Sequence, residues 1–336
     1  YTGNATDDTA ITLDGDENMQ PDWVWIKDRT NGNHNRLYDS VRGATKVIYS
    51  SLSNAEGTAS TGLKSFDSNG FTLGTGSDEN GNSANFVSWN WKAGTAFSND
   101  ASATSVGTID SSGSINTDAG ISIISFTGTG SAGTIAHGLG KEVDCIAIKN
   151  RNDSAQWSFY HRSLGGTKYM AFNSTSAAGT ASTQWNNTDP TSSVFSVGTS
   201  NNTNDSSDGM IAILFSSIKG YSKFGSYTGN GDADGSFVYT GFKPAFVMTK
   251  KTSSSTARNW CILDNKRSSS GANVVDDRLF PNLSDAEDSS TSADFLSNGF
   301  KLRDNAGEFN QAVSYIYMAF AEAPFVNSNG VPCNAR

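Results

Sequence analysis

Charge, cysteine, histidine and long apolar runs are all scarce in this chain, and each scarcity closes off a class of protein. Charged residues make up 17% of its 336 positions, against roughly 25% in an average globular chain. Lysine and arginine total 24 against 33 acidic residues, for a formal net charge of −9. No basic stripe is offered to phosphates, so nucleic-acid binding is not expected, and anionic membranes are disfavoured by the same sign. No apolar stretch approaches the ~20 residues of a membrane span, and no signal-peptide pattern opens the sequence. A soluble protein without membrane insertion is the expectation. The three cysteines, Cys145, Cys261 and Cys333, are odd in number and far apart. They form neither a disulfide framework nor a zinc motif and read as small buried hydrophobes.

Catalytic patterns are missing as well. His34, His137 and His161 occur singly, without the spacing that holds a metal. There is no G-x-S-x-G elbow and no phosphate-binding glycine loop. Paired carboxylates would serve a glycosidase, but the acids cluster in turns such as "LDGDEN" (13–18), "GDADG" (231–235) and "LSDAED" (283–288). Ordinary solvated turn chemistry explains them. The same turns would suit calcium, although none matches an EF-hand loop. The expectation is a protein that is not an enzyme and has no cofactor, with no catalytic or metal-ligating residue to name.

What the chain does have is glycine, 34 of them, together with abundant Ser, Thr, Asn and Asp, and 7 Trp, 10 Tyr and 19 Phe. So much aromatic surface excludes a disordered chain and must be buried. The apolar segments are four to eight residues long and separated by turn residues, which is the pattern of strands. No stretch of ten or more residues shows a 3.6-residue period, so helix content should be very low.

The sequence also repeats itself. At an offset of 122, Lys27 falls on Lys149, Arg29 on Arg151, Tyr38 on Tyr160, and "GTAST" (57–61) on "GTAST" (179–183). A third, more diverged copy aligns through "YTGNG" (227–231), "PAFVMTK" (244–250) and "LSDAE" (283–287). "FDSNGFTL" (66–73) recurs as "FLSNGFKL" (295–302), read as a turn at Asn69-Gly70 or Asn298-Gly299 that accepts positive φ and launches a strand. His161 occupies the slot of Asp39 and Asp264, which suggests a polar role at a strand end. Six to eight short strands in about 100 residues need two sheets to hide their apolar faces. The expected fold is therefore all-β: three tandem β-sandwich repeats of jelly-roll or concanavalin-like kind, with very little helix. The divisions are 1–94, a Ser/Gly/Thr-rich linker at 95–119 with room for one short hairpin, 120–220, 221–326, and a tail at 327–336.

Two strands suggest how the copies sit. In "DWVWIK" Trp23, Trp25 and Lys27 share one face and Val24 and Ile26 the other, so the strand is central or covered by a neighbouring unit. In "FVSWNWK" the set Val87, Trp89 and Trp91 is the better core candidate. The second and third copies enter through apolar lead-ins, "ISIIS" (121–125) and "YSKFGS" (221–226), which the first copy lacks. Either sequence ahead of Tyr1 or a neighbouring subunit would fill that place.

"YTGNG", "PDWVWIKDR", "LYDSVRGATK", "FDSNGFTLG", "WNWKAG", "HGLG" (137–140), "YHRSLGGTKY", "GYSKFGSYTGNG" and "YIYMAFAEAPF" together resemble the repeated domain of unknown function in tail-fibre and other virion proteins of marine bacteriophages. The resemblance spans nearly all of 1–326. It implies a virion component exposed on the particle and made in the host bacterial cytoplasm, a tail-fibre or appendage subunit that is oligomeric, contacts other virion subunits and binds host-surface polysaccharide. A purely structural decoration or shaft is the alternative, and a glycan depolymerase a further one. The resemblance carries over no site residues. For a glycan, the residues themselves offer a polar segment, Asp39, Arg42 and Lys46, and three tryptophans able to stack on a sugar, Trp157, Trp185 and Trp260. Ordinary packing or an interface is the competing reading for each.

Overall fold

A computed structural model describes residues 1–15, 17–253, 256–268 and 273–321. The chain is all-β with very little helix. Among the described residues six sheets follow one another in pairs, one pair in each third of the chain. In the first third a five-stranded sheet (Gly57–Thr58, Lys46–Tyr49, Arg36–Asp39, Trp23–Asp28, Phe86–Trp91) faces a three-stranded one (Thr9–Thr12, Gly70–Leu73, Leu63–Asp67). In the middle third eight strands are ordered Gly179–Thr180, Lys168–Ala171, Ser158–His161, Cys145–Asn150, Gly209–Phe215, Ile121–Thr127, Ser111–Asn116, Thr95–Asn99. They face the pair Gly133–Ala136 and Val194–Val197. In the last third the four strands Ser222–Thr228, Ser314–Phe320, Phe246–Lys251 and Cys261–Asp264 face Phe237–Tyr239, Gly299–Leu302, Asp288–Leu296 and Val274–Arg278. The helices among the described residues are single turns such as Ser77–Asn80 and Ser182–Trp185, and none is long and apolar enough to cross a membrane.

Strand alternation sends side chains into two different cores. Val24, Ile26, Tyr38, Phe71 and Phe86 fill the space between the two sheets of the first third. Trp23, Trp25, Trp89 and Trp91, on the opposite face, enter a core that all three thirds share. There they meet Cys145, Trp157, Phe159 and Phe215 of the middle third, and Phe246, Met248, Trp260 and Phe320 of the last. All six residues of Trp23–Asp28 are buried, as the apolar groups on both faces of "DWVWIK" led us to expect. Each large side chain buried here contributes about 1.5–3 kcal/mol. The residual void at the centre, about 20 Å³, is about the space of a single water, in an apolar lining that gives a water no partners.

Corresponding strands keep one register. Trp23 pairs with both Trp91 and Asp39, Cys145 with Phe215 and His161, and Phe246 with Phe320 and Asp264. A buried asparagine holds the loop that follows each "YTG" or "FTG". Asn80 accepts from the Asn4 N–H and donates to Gly74 O, Asn204 accepts from Thr129 N–H and donates to Gly198 O, and Asn310 accepts from Asn230 N–H and donates to Asp304 O. Sequence reading had missed these three residues, whose neighbours in the chain differ.

The doubled phrase does form a hairpin turn, with Asp67 paired to Gly70 and Leu296 to Gly299. Gly70 has φ +140, but Asn69, Asn298 and Gly299 do not take positive φ. Close approach is what both glycines share. A Cβ on Gly70 would lie 1.9 Å from Ile11 O and one on Gly299 2.1 Å from Val238 O, because a third strand, Thr9–Thr12 or Phe237–Tyr239, pairs antiparallel with each hairpin there. The segment 95–119, read as a linker, is a structural part of the middle third. Thr95–Asn99 and Ser111–Asn116 pair with each other and extend its large sheet. Serine-rich composition concealed them: Ser111 and Ser114 are buried, and the Ser111 hydroxyl donates to Ala136 O at 3.0 Å. Cys145 and Cys261 are buried and free; Cys333 and the tail at 327–336 lie outside the described residues.

Candidate functional site

Polar chemistry concentrates where the thirds meet, and it runs in one cyclic sense. Lys27, Lys149 and Lys250 stand at matching strand positions and are buried. The Lys27 Nζ donates to Asp28 O, Asn33 O and, across the junction, Ser284 O at 2.7, 2.8 and 3.1 Å. Lys250 Nζ donates to Arg258 O and, across the next junction, Thr175 O. Lys149 Nζ donates to Asn150 O at 2.7 Å. Carbonyls satisfy an ammonium's donors without neutralising it, so burial draws the pKa of Lys27 and Lys149 down to about 8 and that of Lys250 to about 7.

The same main-chain bond is made at all three junctions. Glu287 N–H donates to Arg29 O, Glu56 N–H to Arg151 O, and Ala178 N–H to Thr252 O, at 3.0, 2.9 and 3.2 Å. At two of them a charge network is laid over it. Glu287 accepts from Arg29 and from Arg267, which is itself tied to Asp264. Glu56 accepts from Arg151 and Arg42, with Arg42 tied to Asp39. Burial would raise the Glu56 carboxyl, but the bonds and charges of Arg151 and Arg42 outweigh it and hold it below its ordinary value. At the third junction every member changes together, to Thr252, Ala178 and, in the Asp39 slot, His161. The His161 Nε2 meets Tyr317 O of the adjoining third at 3.2 Å.

The glycan candidates lie in these junctions or beneath a sheet. Asp39, Arg42, Trp157, Trp185 and Trp260 are buried. Asp39 and Arg42 belong to the network just described. The Trp157 indole N–H donates to Tyr49 O of the first third and that of Trp260 to Ala171 O of the middle third. Trp185 packs edge-on to Tyr160. A sugar would reach these rings only if the thirds or the sheets came apart. Lys46, half-buried at a strand end, donates to Thr58 Oγ1 at 3.0 Å.

Of the turns considered for calcium, "LSDAED" has two of its three acids taken by arginine, Glu287 as above and Asp288 by Arg278. In "GDADG" Asp234 pairs with Lys301 at 2.8 Å, while Asp16 of "LDGDEN" lies outside the described residues. Acidic side chains do converge elsewhere: Asp153, Asp205 and Asp208 place one oxygen each within 4.8 Å of one another. Each of these acids lies in a loop, and nothing in their sequence spacing marked them as a group.

Two surface features complete the picture. Phe237 and Tyr239, 45% and 59% exposed, are the large exposed hydrophobics among the described residues. They share one face of an edge strand, and Lys223 Nζ lies 4.9 Å from the Tyr239 ring centre. A groove of about 730 Å³ opens at one end of the shared core, along the strand Phe86–Trp91, and is lined by Leu13, Met19, Trp89, Trp91, Tyr221 and Phe320 among others.

Paired antiparallel sheets around a shared aromatic core, with buried polar groups bound to one another, define an all-β protein with very little helix. The chain belongs to the family of the domain of unknown function DUF7483, whose model matches residues 1–324. Comparison with curated proteins and with solved structures gives no match.

Proposed function

We propose that the protein is a non-enzymatic subunit of a bacteriophage virion, part of a tail fibre or similar appendage exposed on the particle, built from three tandem β-sandwich units that are copies of one another. The phage setting rests on the sequence resemblance. The observation that carries the structural role is the identical main-chain bond at all three junctions, Glu287 to Arg29, Glu56 to Arg151 and Ala178 to Thr252. A unit repeated in a closed ring, each copy gripping the next in the same way, yields a stiff body that resists shear. In this reading the protein is made in the host bacterial cytoplasm and assembles as an oligomer with other virion subunits.

Contact with host-surface polysaccharide falls, in the same reading, to the outer faces, where Phe237, Tyr239 and Lys223 offer the aromatic and cationic surface on which a sugar ring stacks. Burial of Trp157, Trp185 and Trp260 favours a second reading, a purely structural shaft or decoration. A glycan array together with whole-cell binding separates them. Binding that is weakened by Tyr239→Ala supports adhesion, and blank arrays at high protein concentration support the structural role. Release of oligosaccharides from host polysaccharide would overturn the non-enzymatic assignment. Density for this fold in a map of an intact phage particle tests the virion setting itself.

A further inference from the structure

Beyond Ile121–Thr127 the large sheet of the middle third carries two more strands, Ser111–Asn116 and then Thr95–Asn99 at its rim. The last third has no such addition: residues 216–221 alone separate Gly209–Phe215 from Ser222–Thr228. Phe97 and Ile115 anchor the added pair on the inner core of the middle third. Main-chain bonds fix which groups of the rim point outward. Gly128 N–H donates to Asp208 O and Ser216 N–H to Gly120 O, so the even residues of Ile121–Thr127 bond Gly209–Phe215 and the odd ones bond Ser111–Asn116. Alternation then gives the odd residues of Ser111–Asn116 to the odd residues of Thr95–Asn99. Ala96 and Ser98, both exposed, are left with their N–H and C=O groups directed away from the sheet.

Proteins blunt such rims with charge, bulges or very short strands. Gly57–Thr58 and Gly179–Thr180 are two residues long. Val274–Arg278 carries Asp276, Asp277, Arg278 and a register shift, and Ser222–Thr228 carries Lys223 and is closed at one end by Ile218. Thr9–Thr12 is uncharged but has acids beyond both ends, Asp7 and Asp8 before it and Asp14 after it, which would face each other if two copies paired antiparallel. The rim "TAFSN" has neither charge nor bulge.

We infer that Thr95–Asn99 is the contact through which two copies of this chain associate, the two rims pairing antiparallel about a two-fold axis at Phe97. The pairing sets Ala96 of each copy opposite Ser98 of the other and satisfies all of their outward main-chain groups. Two large sheets become one, closed by an isologous contact. The ends of the rim are complementary in charge. Lys92 and Lys141 lie at the Thr95 end with one acid, Asp118, while Asp100 and Asp110 lie at the Asn99 end. Antiparallel pairing brings the basic end of each copy to the acidic end of the other. The exposed side chains Thr95, Ala96 and Ser98 are small and allow close approach. The inference rests on the reading of the protein as an oligomeric subunit and names the contact that reading needs; it involves neither Phe237 nor Tyr239.

The test uses the full chain. Sedimentation should show a dimer that dissociates on dilution. Amide hydrogen exchange at Ala96 and Ser98 should slow by at least about tenfold in the dimer, while Phe97, already paired with Gly113, stays unchanged. Ala96→Lys sets a charge on the rim and should weaken association by at least about tenfold without altering the melting temperature of the dilute monomer. Lys92→Glu should weaken it as well, and more at low than at high salt. A chain still monomeric at about 1 mM overturns the proposal. So does slow exchange at Ala96 and Ser98 in the monomer, or a dimer that Ala96→Lys leaves intact. Each of these results leaves the virion setting standing, since the density map of the particle tests that separately.

Discussion

Arg29 and Glu287 lie 258 residues apart and are joined by bonds from Arg29 Nε and Nη2 at 2.9 and 2.6 Å. Arg151 and Glu56 repeat the arrangement at the neighbouring junction, and Thr252 and Ala178 hold the matching places at the third. The pairs fasten separate thirds of the chain to one another, so their loss should be felt across the whole molecule.

Glu287→Ala takes a shared carboxylate from Arg29 and from the buried Arg267, which keeps Asp264, and should cost about 1.5–3 kcal/mol in urea unfolding. Glu56→Ala, which takes the same from Arg151 and from Arg42, itself still held by Asp39, should cost a similar amount. The third junction allows the converse experiment. Ala178→Glu and Thr252→Arg together should recover about 1 kcal/mol relative to the sum of the single changes, measured by a double-mutant cycle.

Gly70→Ala and Gly299→Ala should each destabilise by at least about 2 kcal/mol, since the new methyl group meets the main chain of the strand paired alongside. Gly43 is the control. It has φ +95 but nothing within 4 Å of its Cβ position, so Gly43→Ala should cost only about 1 kcal/mol. Equal losses at all three sites would remove the steric explanation.

Stability should fall steeply in mild acid. Burial holds the His137 and His161 imidazoles at about 4, where each is bonded only to main-chain groups. Their folded pKa lies below the unfolded value of 6.5, so between pH 6.5 and 4 the unfolded chain binds more protons and folding loses free energy as pH drops. Each histidine accounts for about 3 kcal/mol over that window. His161→Gln should flatten the slope of melting temperature against pH by about half of the histidine contribution.

The buried lysines act in the alkaline range with the same direction. Their folded pKa values, about 8, 8 and 7 for Lys27, Lys149 and Lys250, lie below the unfolded 10.5. From pH 7 toward 10 the unfolded chain keeps protons that the folded one releases, so the lysine contribution to stability rises with pH. Lys250→Met should remove part of that rise. A melting temperature with the same alkaline slope in both proteins would show that Lys250 does not titrate there.

Much of the strand plan was legible in the sequence, because period-two alternation marks the strands and recurring phrases mark the turns between them. The pairing of Lys46 with Thr58 and of Lys168 with Thr180 accounts for the repeated "GTAST" and for the "TK" shared by residues 45–46 and 167–168. The two-faced burial of Trp23–Asp28 followed from Trp and Val standing side by side. What could not be read was which residues meet across a junction. "LSNAE" (52–56) and "LSDAE" (283–287) look like turn chemistry until Arg151 and Arg29 are brought to them from another third of the chain, and a tryptophan that donates to a remote carbonyl is indistinguishable in sequence from one that faces water. The strands at 95–99 and 111–116 were hidden for a different reason: serine can line a sheet when its hydroxyl finds a carbonyl, as Ser111 does.

The account stands on one core being held in common by three pairs of sheets, and calorimetry addresses it most directly. The intact chain should melt in a single transition whose calorimetric and van't Hoff enthalpies agree, because no third can open without exposing Trp25, Trp157 or Trp260. Resolved transitions, each matching a separately expressed third that folds with its tryptophans buried, would contradict it.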